Sequence, residues 1–264
     1  MSDDRRRDTL TVVIPTKNSA ALIGDCLESV RWADEIIVID MHSTDSTAEI
    51  CASFPNVRMI EREDYIFGNV NFGFEHATSD WTLRLDSDER LTPELSEEIQ
   101  GILRDAPPGV TGFYFNQRLV VLGHVLRHGR GAGAYRDMMF RTGSAHYAVE
   151  REHEELTSAG RWVHARGDYV HMNYGTVSEY LAKMDYYTSR DVERRAVSRT
   201  RPPIRLAFLE VARAFYLYYL KRQGFRDGWP GFVDAGMMAA YQFVQWAKVV
   251  EHWDCARRVG TGRA

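Results

Sequence analysis

Four short apolar runs alternate with segments of helical periodicity, and this alternation constrains the fold more than any other feature. The runs cover residues 10–15, 35–40, 57–61 and 81–85. β-Branched residues dominate the first two runs, which is typical of strands buried on both faces of a sheet. Between the runs, apolar residues recur at helical spacing, as at Leu22, Cys26 and Val30. This order predicts an α/β fold whose mostly parallel central sheet has helices on both faces.

The fourth run ends in three carboxylates, those of Asp86, Asp88 and Glu89. An extended chain would direct the side chains of Asp86 and Asp88 to one face, because they are two positions apart. Two carboxylates this close repel unless a cation lies between them. Mg²⁺ or Mn²⁺ would suit them, with further ligands from the phosphates of a substrate. The alternative is a strand that runs into a solvated acidic turn.

Polar residues stand at the carboxyl ends of three of the four predicted strands. They are residues 15–18, Asp40 and residues 86–89. Parallel sheets bind ligands at this edge, so the pattern predicts a nucleotide-type site. No G-x-G-x-x-G follows the first strand and no Walker-type motif occurs, which indicates neither a classical dinucleotide fold nor a P-loop.

Composition describes an ordinary globular protein, and a formal net charge of −4 predicts no affinity for nucleic acid. None of the three cysteines has Cys-x-x-Cys spacing, so we expect reduced core cysteines in a cytoplasmic protein. The polar N-terminus lacks the apolar stretch of a signal peptide, and no apolar run reaches the ~18 residues of a spanning helix.

The second half of the chain changes in character twice. Residues 112–147 show a β pattern, interrupted by a glycine-rich basic loop around Arg130 that could be a mobile lid or a plain hairpin loop. Residues 190–226 are rich in Arg and in aromatic residues. This segment could contact a membrane surface peripherally, or cap the domain with its apolar side inward. We therefore expect a polar arm (1–8), a ligand-binding domain (9–189) and a C-terminal helical segment (190–264).

The motif series resembles that of family 2 glycosyltransferases of the Rossmann-like GT-A fold. It comprises residues 12–18, 35–40, 43–45 and 85–89. The nearest resemblance is to bacterial lipopolysaccharide-core β-1,4-glucosyltransferases, whose later landmarks are similar to His153-Glu154, Gly160, His171 and residues 224–232. It implies inverting, metal-dependent transfer of a hexose, expected to be glucose, from a UDP-sugar to a glycan or lipid-linked acceptor of the cell envelope. It also implies an enzyme at the inner face of the cytoplasmic membrane.

The resemblance also implies roles for particular residues. The expected nucleotide-sugar contacts are Pro15, Thr16, Asn18, Asp40, Asn71, Asp86 and Ser87. Asp86, Asp88 and His171 would hold the divalent cation (Mg²⁺ or Mn²⁺), with Asp88 as its principal ligand. Glu154 is the candidate general base. Without the resemblance, residues 153–155 would be interpreted as a solvated helix start and His171 as a structural histidine.

Two other interpretations stay open at this point. A sugar nucleotidyltransferase also combines a parallel sheet with a metal, but residues 15–18 lack its glycine-rich, Lys- or Arg-containing loop. A catalytically silent sugar-nucleotide or glycan-binding protein would not need Asp86, Asp88 and Glu154 intact. The sequence does not specify the sugar, the acceptor or the oligomeric state.

Overall fold

The computed structural model describes residues 6–148, 156–195 and 202–261. The chain forms two compact units. The first contains Met1–Arg118 and Gly133–His171, and the second contains Leu119–Ala132 and Met172–Ala264. The boundary expected between residues 189 and 190 remains a prediction of domain organisation; α5 (Val177–Arg195) belongs to the second unit.

The first unit begins with alternating strands and helices. They are β1 (Leu10–Thr16), α1 (Ile23–Ser29), β2 (Glu35–Asp40), α2 (Thr47–Ala52), β3 (Val57–Glu61), α3 (Ile66–Glu75) and β4 (Trp81–Arg84). The strands lie in the order β3-β2-β1-β4, and all neighbours are parallel. The parallel sheet expected from the four apolar runs is therefore confirmed. Thr16 is paired with Asp40, so the polar ends of β1 and β2 meet at one edge.

The rest of the sheet is mixed. After β4 come β5 (Glu89–Leu91), α4 (Pro93–Arg104), β6 (Val110–Val121), β7 (His124–Leu126), β8 (Tyr135–Arg141), β9 (Ala145–Tyr147), β10 (Leu156–Ser158) and β11 (Arg161–Tyr174). The sheet continues from β4 in the order β8-β6-β11-β5, with β8 antiparallel to both β4 and β6. Strand β11 pairs antiparallel with β5 in a register that sets His171 opposite Glu89. A residue from the far end of the first unit is thereby brought to the acidic motif.

Side chains of the central strands alternate between two hydrophobic clusters. Val12 and Ile14 contribute to one cluster, whereas Val13 contributes to the other. The second cluster includes Val70 and Phe74 of α3, which cover that face. Since successive side chains of a strand point to opposite faces, both faces of the sheet are buried. This is the α/β architecture that the sequence predicted.

Helix α4 begins as the sequence indicates. The hydroxyl of Thr92 accepts a hydrogen bond from the backbone N–H of Leu95, and Pro93 occupies the first helical position. Helix α1 starts at Ile23 with Leu22 at the N-cap, so Ser19, whose residue type often caps helices, does not cap it.

The second unit is mainly helical. It contains α5, α6 (Ile204–Phe215), a π-helical segment (Tyr216–Lys221), a 3₁₀ turn (Gly224–Asp227) and α7 (Gly228–Thr261). In the described part of the chain, no helix combines the length and apolarity needed to cross a bilayer. Helical structure in the described part of residues 190–264 agrees with the expected C-terminal helical segment.

The glycine-rich basic loop is held within the second unit by hydrogen bonds and an ion pair. His128 Nδ1 lies 2.8 Å from Asp227, and Arg130 Nη2 lies 2.7 Å from Asp234. The hydroxyl of Tyr174 also donates to Asp234, at 2.9 Å. These contacts anchor the loop within the second unit, and its role as a lid stays a prediction.

All three cysteines are free thiols. Cys26 and Cys51 are buried in the first unit, whereas Cys255 on α7 is exposed. The expectation of core cysteines is therefore confirmed for Cys26 and Cys51 and is wrong for Cys255. Burial raises the pKa of Cys51 to about 11 and that of Cys26 well above its usual value.

Candidate active site

Hydrogen bonds link the segment that follows β1 to the loop that follows β2. Asp40 is buried, and its carboxylate accepts from the Ser43 backbone at 3.0 Å and from the Ser43 hydroxyl at 2.5 Å. Asn18 adopts a left-handed conformation with φ of 49°. The side-chain oxygen of Asn18 accepts from the backbone N–H of Thr44 at 2.8 Å. The backbone N–H of Asn18 donates to the Ser43 hydroxyl. Asn18 and Asp40 thus shape the same loop from two strands, which preorganises this edge of the sheet.

Two more of the expected nucleotide contacts lie at the end of β1. Pro15 and Thr16 are buried, and Pro15 is paired with Ile39 of β2. The Thr16 hydroxyl is buried and has no hydrogen-bond partner. A buried polar atom without a partner is costly, so this hydroxyl is a group that a ligand or an ordered water would stabilise.

Asn71 of α3 contacts the backbone of β9. Its side-chain nitrogen donates to the Tyr147 carbonyl and its oxygen accepts from the Tyr147 N–H, both at 2.8 Å. The amide therefore fixes β9 against α3. A contact between Asn71 and a nucleotide-sugar stays a prediction.

Asp86 is held between two arginines. Its carboxylate lies 3.1 Å from Arg84 Nη2 and 3.0 Å from Arg136 Nη2. Arg84 is itself buried, and its Nη1 donates to the Tyr147 hydroxyl at 2.6 Å. Burial disfavours the charged form of Asp86, but Arg136 and Arg84 outweigh burial and hold its pKa well below the usual range. Asp86 is therefore an anion whose charge this chain already balances.

Glu89, the third carboxylate of the acidic motif, is fully buried. It accepts from the backbone N–H of Asp86 at 2.8 Å and from Arg136 Nη1 at 2.5 Å. Burial raises the pKa of Glu89 to about 7, and the charge of Asp86 acts in the same direction while Arg136 opposes both. Arg136 thus joins two carboxylates and fixes the turn that follows β4.

Asp88 faces a different partner from Asp86. Its carboxylate oxygen lies 3.5 Å from His171 Nε2. The other ring nitrogen, His171 Nδ1, lies 2.7 Å from the side-chain nitrogen of Gln117 on β6. Burial lowers the pKa of His171, but the contact with Asp88 outweighs burial and raises it. The chain turns after β4, so the carboxylates of Asp86 and Asp88 meet different side chains. The metal role expected of both aspartates stays a prediction.

The residues around Asp88 fit a divalent cation of the Mg²⁺ or Mn²⁺ type. In the described ranges, no group of three or more His, Cys, Asp and Glu side chains is placed to hold a metal by itself. Mg²⁺ does not require such a cage, because it commonly takes one or two protein ligands and completes its shell with phosphate and water. Two ligands at ~2.1 Å and a right angle lie about 3 Å apart. The 3.5 Å between Asp88 and His171 is close to that spacing.

Ser87 and Cys26 complete the surroundings of the motif. The Ser87 hydroxyl lies 2.9 Å from that of Ser19, in the turn after β1. The Cys26 thiol donates to the Asp86 carbonyl at 3.5 Å. Of the remaining candidates, Glu154 and its neighbour His153 lie outside the described residues.

Several residues of the site were not singled out as functional from the sequence. They are Arg84, Gln117 and Tyr147, while Glu89 was predicted only as the third carboxylate of the motif. Arg84 carried a signal, because a charged residue in a buried strand beside carboxylates suggests an internal ion pair. Gln117 carried none, since its position depends on the pairing of distant strands.

Taken together, the fold and the acidic edge define a class. A mostly parallel sheet with a mixed extension, and with carboxylates at the carboxyl edge of its parallel strands, is the architecture of GT-A-type α/β transferases. The model of the glycosyl transferase family 2 matches residues 11–147. The chain belongs to this family and is a glycosyltransferase.

Similar proteins agree with this family. The lipopolysaccharide core biosynthesis glycosyltransferase LpsC of Rhizobium meliloti (strain 1021) is 26% identical over 249 residues, which cover 92% of each chain. A PGL/p-HBAD biosynthesis glycosyltransferase of Mycobacterium tuberculosis (strain ATCC 25177 / H37Ra) is 34% identical over 91 residues, covering 31% of this chain and 36% of that protein.

A solved structure shows the same fold. It is the mannosyltransferase PcManGT from Pyrobaculum calidifontis, in complex with GDP-Man and Mn²⁺. It superimposes with a TM-score of 0.52 at 16% identity, over 94% of this chain and 88% of that one.

Proposed function

We propose that this glycosyltransferase moves a hexose from a UDP-sugar to a glycan or lipid-linked acceptor, with inversion and with the help of Mg²⁺ or Mn²⁺. The observation that carries the proposal is the pairing of Asp88 with His171 beside the carboxyl edge of the parallel strands. One carboxylate and one imidazole leave most of a cation's coordination shell for the diphosphate of a donor.

The two aspartates of the acidic motif would have different roles. Asp88 and His171 would hold the cation, which offsets the negative charge that develops on the departing nucleoside diphosphate. Asp86 would orient the donor, because Arg84 and Arg136 fix its carboxylate and already balance its charge. The nucleotide pocket would be formed by Pro15, Thr16, Asn18 and Asp40. Asn18 and Asp40 also hold the loop after β2, which would complete the pocket. Ser87 and Asn71 would complete the donor contacts.

Inverting transfer requires a base as well as a leaving group. The acceptor hydroxyl oxygen forms a bond to the anomeric carbon while the bond from that carbon to the diphosphate breaks. The hydroxyl proton passes to a carboxylate, for which Glu154 is the candidate. The resemblance of residues 153–154 to the family landmark supports this assignment.

The relatives support the proposed acceptor class. LpsC is named for lipopolysaccharide core biosynthesis, and it aligns with 92% of this chain. We therefore assign the chain to the synthesis of lipopolysaccharide or a related cell-envelope glycan. The inner face of the cytoplasmic membrane, which the family resemblance implies, is where we place this enzyme.

Calorimetry with UDP, with and without Mn²⁺, tests the metal and nucleotide parts of this proposal. We expect UDP to bind tightly only with Mn²⁺ present, and Asp88→Asn to remove that dependence while the fold is retained by circular dichroism. Asp25→Asn is the matched control, since Asp25 is an exposed aspartate paired with Arg90. Equal UDP affinity with Mn²⁺ and with a chelator would contradict the metal assignment.

Hydrolysis of a panel of nucleotide-sugars tests the donor. We expect slow release of glucose from UDP-glucose and little hydrolysis of GDP-mannose. A preference for GDP-mannose would overturn the UDP-hexose assignment. Metal-dependent binding without hydrolysis or transfer from any donor would favour the binding-protein interpretation.

A further inference from the structure

Helix α6 and the π-helical segment present their large apolar side chains outward. Phe208 is 71% exposed, Leu209 65% and Ile204 63%. Tyr216 lies eight positions after Phe208, and Leu220 lies four positions after Tyr216; both continue the stripe and are also exposed. Side chains four positions apart lie on one face of a helix, so these residues form one continuous apolar surface.

The opposite face of α6 is lined by small residues. Ala207 and Ala214 are buried there, so the helix packs on its unit through alanines. Amphipathic helices of globular proteins ordinarily do the reverse and turn their large apolar residues inward. An exposed contiguous apolar surface of this kind marks an interaction site.

Aromatic residues of the adjoining segments enlarge the surface. The Phe232 ring centroid lies 5.9 Å from that of Phe215 and 5.5 Å from that of Tyr219. Phe225 also contacts Tyr219, at 6.2 Å, and both Phe225 and Phe232 are exposed. The aromatic side chains are thus packed against one another while they remain open to a partner.

The charge of this surface is opposite in sign to that of the whole chain. Residues 204–226 contain five Lys or Arg residues and one acidic residue, whereas the chain has a net charge of −4. Arg205 and Arg213 lie on α6 among the exposed apolar residues, and Lys221, Arg222 and Arg226 follow; all five are exposed. A cationic surface on an anionic protein suits a partner that carries negative charge.

We propose that this surface, formed by Ile204, Phe208, Leu209, Tyr216 and Leu220 with the five cations, docks in the interface of an anionic phospholipid bilayer. The apolar side chains enter the boundary between headgroups and acyl chains, while the long Arg and Lys side chains reach the phosphates. A second copy of the chain fits less well, because a two-fold contact would bring the same cations face to face. The proposal depends on neither the donor nor the cation.

Vesicle flotation without nucleotide or metal tests the proposal. We expect the protein to float with vesicles of phosphatidylglycerol and phosphatidylcholine in about equal amounts, and not with phosphatidylcholine alone. Phe208→Ser with Leu209→Ser should lower the bound fraction about tenfold or more, as should Arg205→Glu with Arg213→Glu. Mn²⁺-dependent UDP binding should stay unchanged in both double variants, which separates this proposal from the proposed function.

Matched controls carry the same changes elsewhere. Tyr186→Ser with Tyr187→Ser removes two exposed aromatic residues from α5, and Arg31→Glu with Arg104→Glu reverses two exposed charges in the first unit. Both should bind vesicles as the unchanged protein does. Absence of vesicle binding, or equal losses in test and control variants, would overturn the proposal. If vesicle binding is absent and analytical ultracentrifugation shows a dimer that Phe208→Ser with Leu209→Ser dissociates, the surface binds a second copy of the chain and the proposal is wrong.

Discussion

His171 Nε2 lies 3.5 Å from the carboxylate of Asp88, and strand pairing fixes this relationship. The register of β11 on β5 sets His171 opposite Glu89, next in sequence to Asp88. The acidic motif of one strand end thereby acquires an imidazole from a distant strand. This pairing is the basis of the metal assignment.

Replacing His171 tests its part in that assignment. His171→Ala should weaken Mn²⁺-dependent UDP binding about tenfold or more, because the cation loses one of two protein ligands. Calorimetry measures the change. His164→Ala is the control, since His164 is an exposed histidine of the same strand. Equal UDP affinities for the two variants would show that His171 is only a structural residue.

Gln117 is expected to select the tautomer of His171. The His171 Nε2 lone pair can face a cation only if Nδ1 carries the proton, and Nδ1 then needs an acceptor. Rotation of the Gln117 amide supplies its oxygen at this position. Gln117→Leu should therefore weaken Mn²⁺-dependent UDP binding on the order of 10- to 100-fold, whereas Gln117→Glu, an obligate acceptor, should retain it.

Nitrogen chemical shifts of His171 provide a readout apart from binding. We expect the Nδ1–H tautomer to dominate in Gln117→Glu when diamagnetic Mg²⁺ and UDP are bound. Gln117→Leu should lose that preference. Similar binding and tautomer populations in the two variants would refute this role for Gln117.

The buried Glu89 should make stability depend on pH. Burial raises its pKa in the folded chain from 4.5 to about 7. Between these pH values the folded state binds more protons than the unfolded state, so the free energy of unfolding falls as pH rises. Glu89→Gln removes this contribution. Relative to that of the unchanged protein, the free energy of unfolding of Glu89→Gln should therefore rise by on the order of 2 to 3 kcal/mol between pH 4.5 and pH 7.

Urea unfolding in the presence of a chelator measures that difference. Glu89→Gln also loses the contact with Arg136, and this cost does not vary with pH. It therefore changes the difference in free energy of unfolding by a constant and leaves the pH dependence of that difference unchanged. Parallel stability curves for the two proteins would mean that Glu89 ionises as readily in the folded as in the unfolded chain.

Two glycines in helices should respond oppositely to alanine. A Cβ at Gly73 in α3 would lie 2.3 Å from a methyl carbon of Val13, so Gly73→Ala should cost about 1 to 3 kcal/mol of stability. At Gly101 in α4 no atom lies within 4 Å, and Gly101→Ala should gain about 0.5 to 1 kcal/mol. Thermal unfolding compares them directly, and a stabilised Gly73→Ala would contradict the packing of α3 on β1.

Local sequence signals predicted the parallel half of the sheet closely. Strands β2 and β3 have the bounds that their apolar runs indicated, because burial on both faces requires continuous apolar sequence. The spacing of apolar residues predicts a helix from Asn69 to Ala77, whereas helix α3 begins at Ile66. Boundaries near a turn depend on specific hydrogen bonds, and apolar periodicity does not report them.

The candidate site was predictable only in part. Asp40, Asp86 and Asp88 could be located because each follows a recognisable strand. The ion pairs that distinguish Asp86 from Asp88 could not, since Arg136 and His171 reach the motif through antiparallel strands distant in sequence. Strand pairing of that kind depends on the register between remote segments, which no local pattern encodes.

The distribution of the cysteines has a practical consequence. Cys26 and Cys51 are buried and their raised pKa values leave little thiolate at neutral pH, whereas Cys255 is exposed on α7. A maleimide fluorophore should therefore attach at one position without any engineered substitution. The native chain is ready for single-molecule spectroscopy.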